Sequence, residues 1–210
     1  MNKLVMKLKN FLKIIKKGYK MKSFRDYLKD KEFISEAKSK SSGNKIVPKN
    51  RHELDMLVED ESVYLGDIVI PKNITNLSRL FHKSTRKDFS GIENWDVSHV
   101  KQMNGMFRGA KNFNEPIGNW NVSNVENMSY MFEEAENFNQ PLNNWNVSKV
   151  KDMEAMFFKA KKFNQPLDKW NLKNCGILDY MFRGAKAFNQ EKTISIWKEK
   201  FPMRDFSKVG

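Results

Sequence analysis

From residue 92 onward the hydrophobic and polar positions recur every 25 residues. Trp95, Trp120, Trp145 and Trp170 mark the period, and Val97, Val122, Val147 and Leu172 follow two residues on. Met106, Met131, Met156 and Met181 come next, each directly before a phenylalanine (107, 132, 157 and 182). Ala110, Ala135, Ala160 and Ala185 and four Phe-Asn pairs complete the register. A fixed period of this length is the signature of stacked structural repeats, in which no unit buries its apolar face alone. Within a unit, Leu142-x-x-Trp145-x-Val147 alternates apolar and polar positions, as a half-buried strand does. Val150, Met153, Met156, Phe157 and Ala160 then recur at helical spacing. Ser98, Ser123 and Ser148 stand where a helix N-cap belongs, and Pro116, Pro141 and Pro166 where a helix must stop. The pattern therefore predicts an α/β solenoid of leucine-rich-repeat type, one short strand plus one short helix per 25-residue unit, capped at both ends.

Four units cover residues 92–191, and a degenerate one precedes them at 65–91, where Leu65, Ile68, Ile70, Ile74, Leu77, Leu80 and Phe81 keep the apolar columns. Residues 45–64, with a helix over Arg51–Asp60, form the predicted N-terminal cap. Residues 192–210 break the pattern. There Ile194, Ile196, Trp197 and Phe201 are expected to cover the last open face, which would otherwise be an aggregation-prone edge.

The repeat W-x-V-S-x-V-x-x-M-x-x-M-F-x-x-A-x-x-F-N-Q-P-L resembles that of BspA-type leucine-rich-repeat surface proteins, which also occurs in mycoplasma lipoproteins. The resemblance implies the same solenoid fold and a role at the cell surface, in adhesion through protein or glycan partners.

Charge changes the picture only at the start of the chain. Lysine and arginine number 38 against 25 acids, a net +13. Residues 1–50 hold 15 of those cations and 4 acids, so the repeats are close to neutral. Such a basic arm can attract phosphates, and nucleic acid is a candidate partner only through it. Residues 1–20 contain seven lysines and no acid. They read as a basic membrane-surface segment or as an upstream stretch ahead of a true start at Met21. Lys7, Lys9, Lys13 and Lys16 interrupt every apolar run, so no signal peptide is legible. From Met21 a basic amphipathic leader with a Ser23–Asp26 capping pair leads into a Lys38–Gly43 linker (21–44 together). Met21-Lys22-Ser23-Phe24 with Phe33-Ile34-Ser35-Glu36-Ala37 resembles the head-targeting leader of T-even-like phage internal proteins. That resemblance implies cleavage between Glu36 and Ala37 and a packaged or structural virion protein. Location thus stands between cell surface, virion and cytoplasm.

Candidate chemistry is sparse. One cysteine excludes a disulfide framework, and Cys175 falls in the column of Val100, Val125 and Val150, a core position. His52, His82 and His99 have no metal-ligand spacing. The methionine and phenylalanine columns belong to the apolar face, where Met fills gaps, and not to a soft-metal site. No phosphate loop or nucleophile motif appears, so a non-enzyme without cofactor or metal is expected. No run of 18 apolar residues exists to span a membrane as a helix, and a monomer is expected. The candidate binding face is the polar strand side: Asn94, Asp96, Asn119, Asn121, Asn144, Asn146, Lys169, Asn171 and Lys173. Along another side, Lys111, Glu136, Lys161 and Lys186 share a column, as do Lys101, Glu126 and Lys151. Unit two is thus acidic where its neighbours are basic.

Overall fold

The computed structural model describes residues 29, 31–35, 45–189, 191–203 and 205–210. The chain divides into two units, Met1–Asn44 and Lys45–Gly210. In the first, residues 31–35 are helical. The basic segment 1–20, the Ser23–Asp26 pair, the linker and the candidate processing residues Glu36 and Ala37 lie outside the described residues.

In the second unit the predicted burial pattern is present but the predicted backbone is not. The Trp, Val, Met, Phe and Ala columns are buried, except that Phe188 in the last unit is half-buried. Yet the described residues contain no strand and no sheet, only five isolated parallel bridges: Ile46–Ile68, Asn76–Gln102, Gln102–Asn127, Asn127–Asp152 and Asp152–Ile177. Helix within the repeats is limited to single 3₁₀ turns at Leu65–Asp67, Ile92–Asn94 and Ile117–Asn119. The α/β solenoid with a strand and a helix per unit is therefore overturned.

The hydrogen bonding explains why. In the segment predicted to be helical, alternate amides have different destinations. Met103, Gly105, Phe107 and Gly109 donate to the carbonyls of Asn127, Ser129, Met131 and Glu133 in the next unit, at 3.0, 2.8, 2.9 and 2.7 Å. The amides between them, of Met106, Arg108 and Ala110, donate three residues back to Met103, Gly105 and Phe107. An α-helix would send every amide four residues back within its own segment. Here half are used to join units. The chain achieves this by turning left-handed at two fixed columns: Arg79, Gly105, Tyr130, Ala155 and Tyr180, and Lys83, Gly109, Glu134, Lys159 and Gly184, with φ between 50° and 76°. Consecutive turns preserve the i, i+3, i+4 spacing of buried side chains, which is why the pattern reads as helical.

The predicted strand fails for a related reason. Trp145 donates to the Leu142 carbonyl and Val150 to that of Val147, so these amides close local turns. Ser98, Ser123 and Ser148 cap no helix. Their amides donate to the side-chain oxygen two residues earlier, of Asp96, Asn121 and Asn146.

Aromatic rings fill the core. Phe81, Phe107, Phe132, Phe157 and Phe182 form one continuous stack with centroids 5.5–5.7 Å apart and planes within 9°. A second column, Phe113, Phe138, Phe163 and Phe188, lies against it, 3.7–4.0 Å away within each unit. Offset ring pairs contribute roughly 0.5–1.5 kcal/mol each beyond their area. The Trp indoles have a different task. Nε1 of Trp95, Trp120, Trp145 and Trp170 donates to the carbonyl of Leu65, Ile92, Ile117 and Leu142, one unit back.

Both ends are closed by side chains that imitate a missing unit. Helix α1 (Arg51–Glu59) starts at Asn50, whose side chain accepts from the Glu53 amide while Glu53 accepts from that of Lys49, a reciprocal cap. Its Arg51 donates to the Asn76 and Ser78 carbonyls at 2.8 and 3.0 Å, where amides of a preceding unit would donate. Arg86 is buried, and its guanidinium donates to the carbonyls of Val58, Asp60, Val63 and Asp88, tying α1 and the loop after it to the first repeat. At the other end, helix α2 (Glu191–Lys200) brings Trp197 into the Trp column: its Nε1 donates to Leu167 at 3.1 Å. The Lys208 and Val209 carbonyls accept the amides of Tyr180 and Phe182. Phe206 and Val209 are buried with Trp197, whereas Ile194, Ile196 and Phe201 are only half-buried.

Candidate binding face

The polar side of the units is built by asparagine. In each unit an Asx turn fixes one side chain: Oδ1 of Asp96, Asn121, Asn146 and Asn171 accepts the amide two residues on, at 3.0–3.1 Å. Residues Asp96, Asn121, Asn146 and Asn171 are exposed. For the three asparagines the acceptor end is thereby held against the backbone. Among the described residues their Nδ2 groups have no partner, so each unit presents an oriented amide donor. Asp96 begins the row and is bound by Lys72 Nζ at 2.6 Å. That ammonium, with the Ser98 hydrogen bonds, holds the Asp96 carboxyl well below the usual carboxylate range.

The neighbouring column, Asn94, Asn119, Asn144 and Lys169, is also exposed. Lys169 Nζ reaches Asn144 Oδ1 at 3.4 Å, and Asn94 donates to Glu93 at 3.3 Å. Lys173 stands at the end of the row. Eight of the nine residues singled out from the sequence thus lie in two columns of successive units, and Lys173 stands in the column of Ser98, Ser123 and Ser148. Lys72 was not singled out, because it precedes the clear repeats, although it sits almost one period before Asp96.

Other asparagines are structural. Oδ1 of Asn114, Asn139 and Asn164 accepts the amide of Asn139, Asn164 and Asn189, each at 2.9 Å. This is why asparagine follows phenylalanine in every unit. Cys175 is buried in its valine column.

Charge along the units alternates in contact. Glu136 pairs with Lys111 and Lys161 at 3.0 and 2.6 Å, Glu126 with Lys151 at 2.7 Å, and Glu134 with Lys159 at 3.3 Å. Arg108 Nε meets Glu133 at 2.6 Å, and the Arg108 guanidinium lies over the Tyr130 ring. Burial pushes the Glu133 carboxyl up despite that guanidinium. The hydrogen bond to Glu154 pushes the Tyr130 hydroxyl up to about 12. Among the described residues no helix is long and apolar enough to cross a membrane.

In-register units with closed ends and a regular polar face define a repeat protein. The chain belongs to the family described as "Mycoplasma protein of unknown function, DUF285", whose profile matches residues 75–197. At that level the match agrees with the resemblance to BspA-type repeats. No curated protein and no solved structure matches the chain.

Proposed function

We propose that the repeat body is a non-catalytic interaction module, and that its donor row binds an extended ligand rich in hydrogen-bond acceptors, a neutral glycan. The observation that carries this reading is the row of Asx-fixed amides at Asn121, Asn146 and Asn171. They recur at the unit spacing, about that of the 5.5–5.7 Å Phe stack. A repeating ligand gains from each unit, and each net hydrogen bond is worth about 1 kcal/mol. Pre-set amides lose little side-chain freedom on binding, which favours a modest affinity built by repetition. The resemblance to BspA-type surface proteins supports adhesion as the setting.

The test is glycan-array screening and calorimetry with the full chain and with N121D/N146D/N171D. Aspartate keeps the Asx turn, as Asp96 does, but removes the donor. Binding of a neutral polysaccharide that weakens at least tenfold in the variant is the expected result. Absence of any glycan ligand, or binding unchanged by the three substitutions, overturns the reading.

A further inference from the structure

A different edge of the body carries two exposed cations, Arg79 and Lys83, beside Arg108, whose own charge is met by Glu133. Arg79 and Lys83 are the two left-handed residues of the first repeat, with φ of 59° and 54°. Their amides donate to Asn104 and Arg108 of the next unit, which places both side chains along its turn edge. That unit has glycine at both matching positions. A Cβ built on Gly105 would lie 3.4 Å from Arg79 Cγ and 3.7 Å from Arg108 Cβ, and one on Gly109 would lie 3.1 Å from Lys83 Cγ. The stems of Arg79 and Lys83 therefore run over the glycines toward Arg108. His82 sits among them, half-buried, with Nδ1 shielded from solvent and without a partner. Arg79 and Lys83 are exposed, and among the described residues neither forms an ion pair. Burial, and after it the positive charges of Arg108, Lys83 and Arg79, depress the basicity of the imidazole against a hydrogen bond to the Arg108 backbone; Glu133 is the acid paired with Arg108. In later units the same columns carry Tyr130 and Glu134, then Ala155 and Lys159, so the cluster is local to the first two repeats.

We propose that Arg79, His82, Lys83 and Arg108 form a binding site for a tetrahedral oxyanion, a sulfate or phosphate group. Arg79 and Lys83, free of acidic partners, supply the attraction, and a bound anion favours the protonated form of the imidazole beside them. The site is separate from the amide row and stands or falls independently of it.

The test is NMR titration of His82 in the full chain, assigned with His82→Gln. Inorganic phosphate is one arm and a sulfated heparin oligosaccharide the other; their comparison separates a free anion from one carried on a glycan. Either ligand should raise the His82 titration midpoint and saturate, with His52 far less affected. In R79Q/K83Q, which keeps the side-chain stems, the response should fall at least fivefold. A midpoint unmoved by both ligands, or moved equally in R79Q/K83Q, overturns the proposal. R79Q/K83Q leaves the basic arm intact, so a response owed to the arm would persist in that variant.

Discussion

Replacing Gly105 by alanine has opposite consequences for a helical unit and for the unit observed. In an exposed helix interior, glycine to alanine stabilises by about 1 kcal/mol. At Gly105 the backbone is left-handed, φ +61°. There an L-residue costs roughly 1–2 kcal/mol, offset by about 0.4–1 kcal/mol from the less flexible unfolded chain. Space does not add to this, since the nearest atom to the new Cβ would be 3.4 Å away. Ala155 occupies the same column at φ +50°, so the substitution is strained but compatible with the fold. The expected net loss is about 1 kcal/mol, a fall in Tm of about 2–4 °C for a body of this size. Urea unfolding followed by tryptophan fluorescence, with a thermal melt beside it, reads both. A variant more stable than the parent by a similar amount would refute the left-handed assignment.

Arg86→Met removes a buried guanidinium and strands the carbonyls of Val58, Asp60, Val63 and Asp88. With about 1–3 kcal/mol per unsatisfied group, denaturation should show a loss of several kcal/mol, and hydrogen exchange should rise first in α1. Trp197→Phe keeps most of the ring but loses the bond to Leu167, so about 1 kcal/mol is expected, against roughly 3–5 kcal/mol for Trp197→Ala; equal losses would contradict the indole's role. Lys161 and Lys111 hold the Glu136 carboxyl below its ordinary value. Between the two values the unfolded chain binds more protons than the native one. The stabilisation is therefore present above the ordinary carboxylate range and lost as pH falls through the depressed one. Melts of K111Q/K161Q across that range should show a flatter acid limb than the parent; parallel curves would count against the pairing.

Burial was legible in the sequence and the backbone path was not. The apolar columns, Cys175 and Trp197 included, are in the core, with only Phe188 of the last unit half-buried. Met103, Met106, Phe107 and Ala110 are spaced alike in an α-helix and in a run of tight turns, so periodicity alone does not separate the two. The discriminating signal was Gly105, Gly109 and Gly184, falling in two columns four residues apart inside the supposed helices. Glycine inside an apolar helical pattern marks a backbone with another requirement. Tyr130, Glu134 and Lys159 hide those columns elsewhere. The nine polar-face residues were legible as exposed positions. Their division into a fixed acceptor end and an outward donor end depends on the Asx turns, and asparagine two residues before serine or lysine announces those only in hindsight. Arg51 and Arg86 gave no signal, because capping by a guanidinium depends on which carbonyls the fold leaves open.

The account rests on amides that join units instead of closing helices. Scalar couplings across hydrogen bonds report donor and acceptor directly in a labelled full-length sample. The expected pairs are Met103, Gly105 and Phe107 amide nitrogens with the carbonyl carbons of Asn127, Ser129 and Met131, each 24 residues ahead. Couplings from those nitrogens to carbonyls four residues behind, such as Phe107 to Met103, would contradict it.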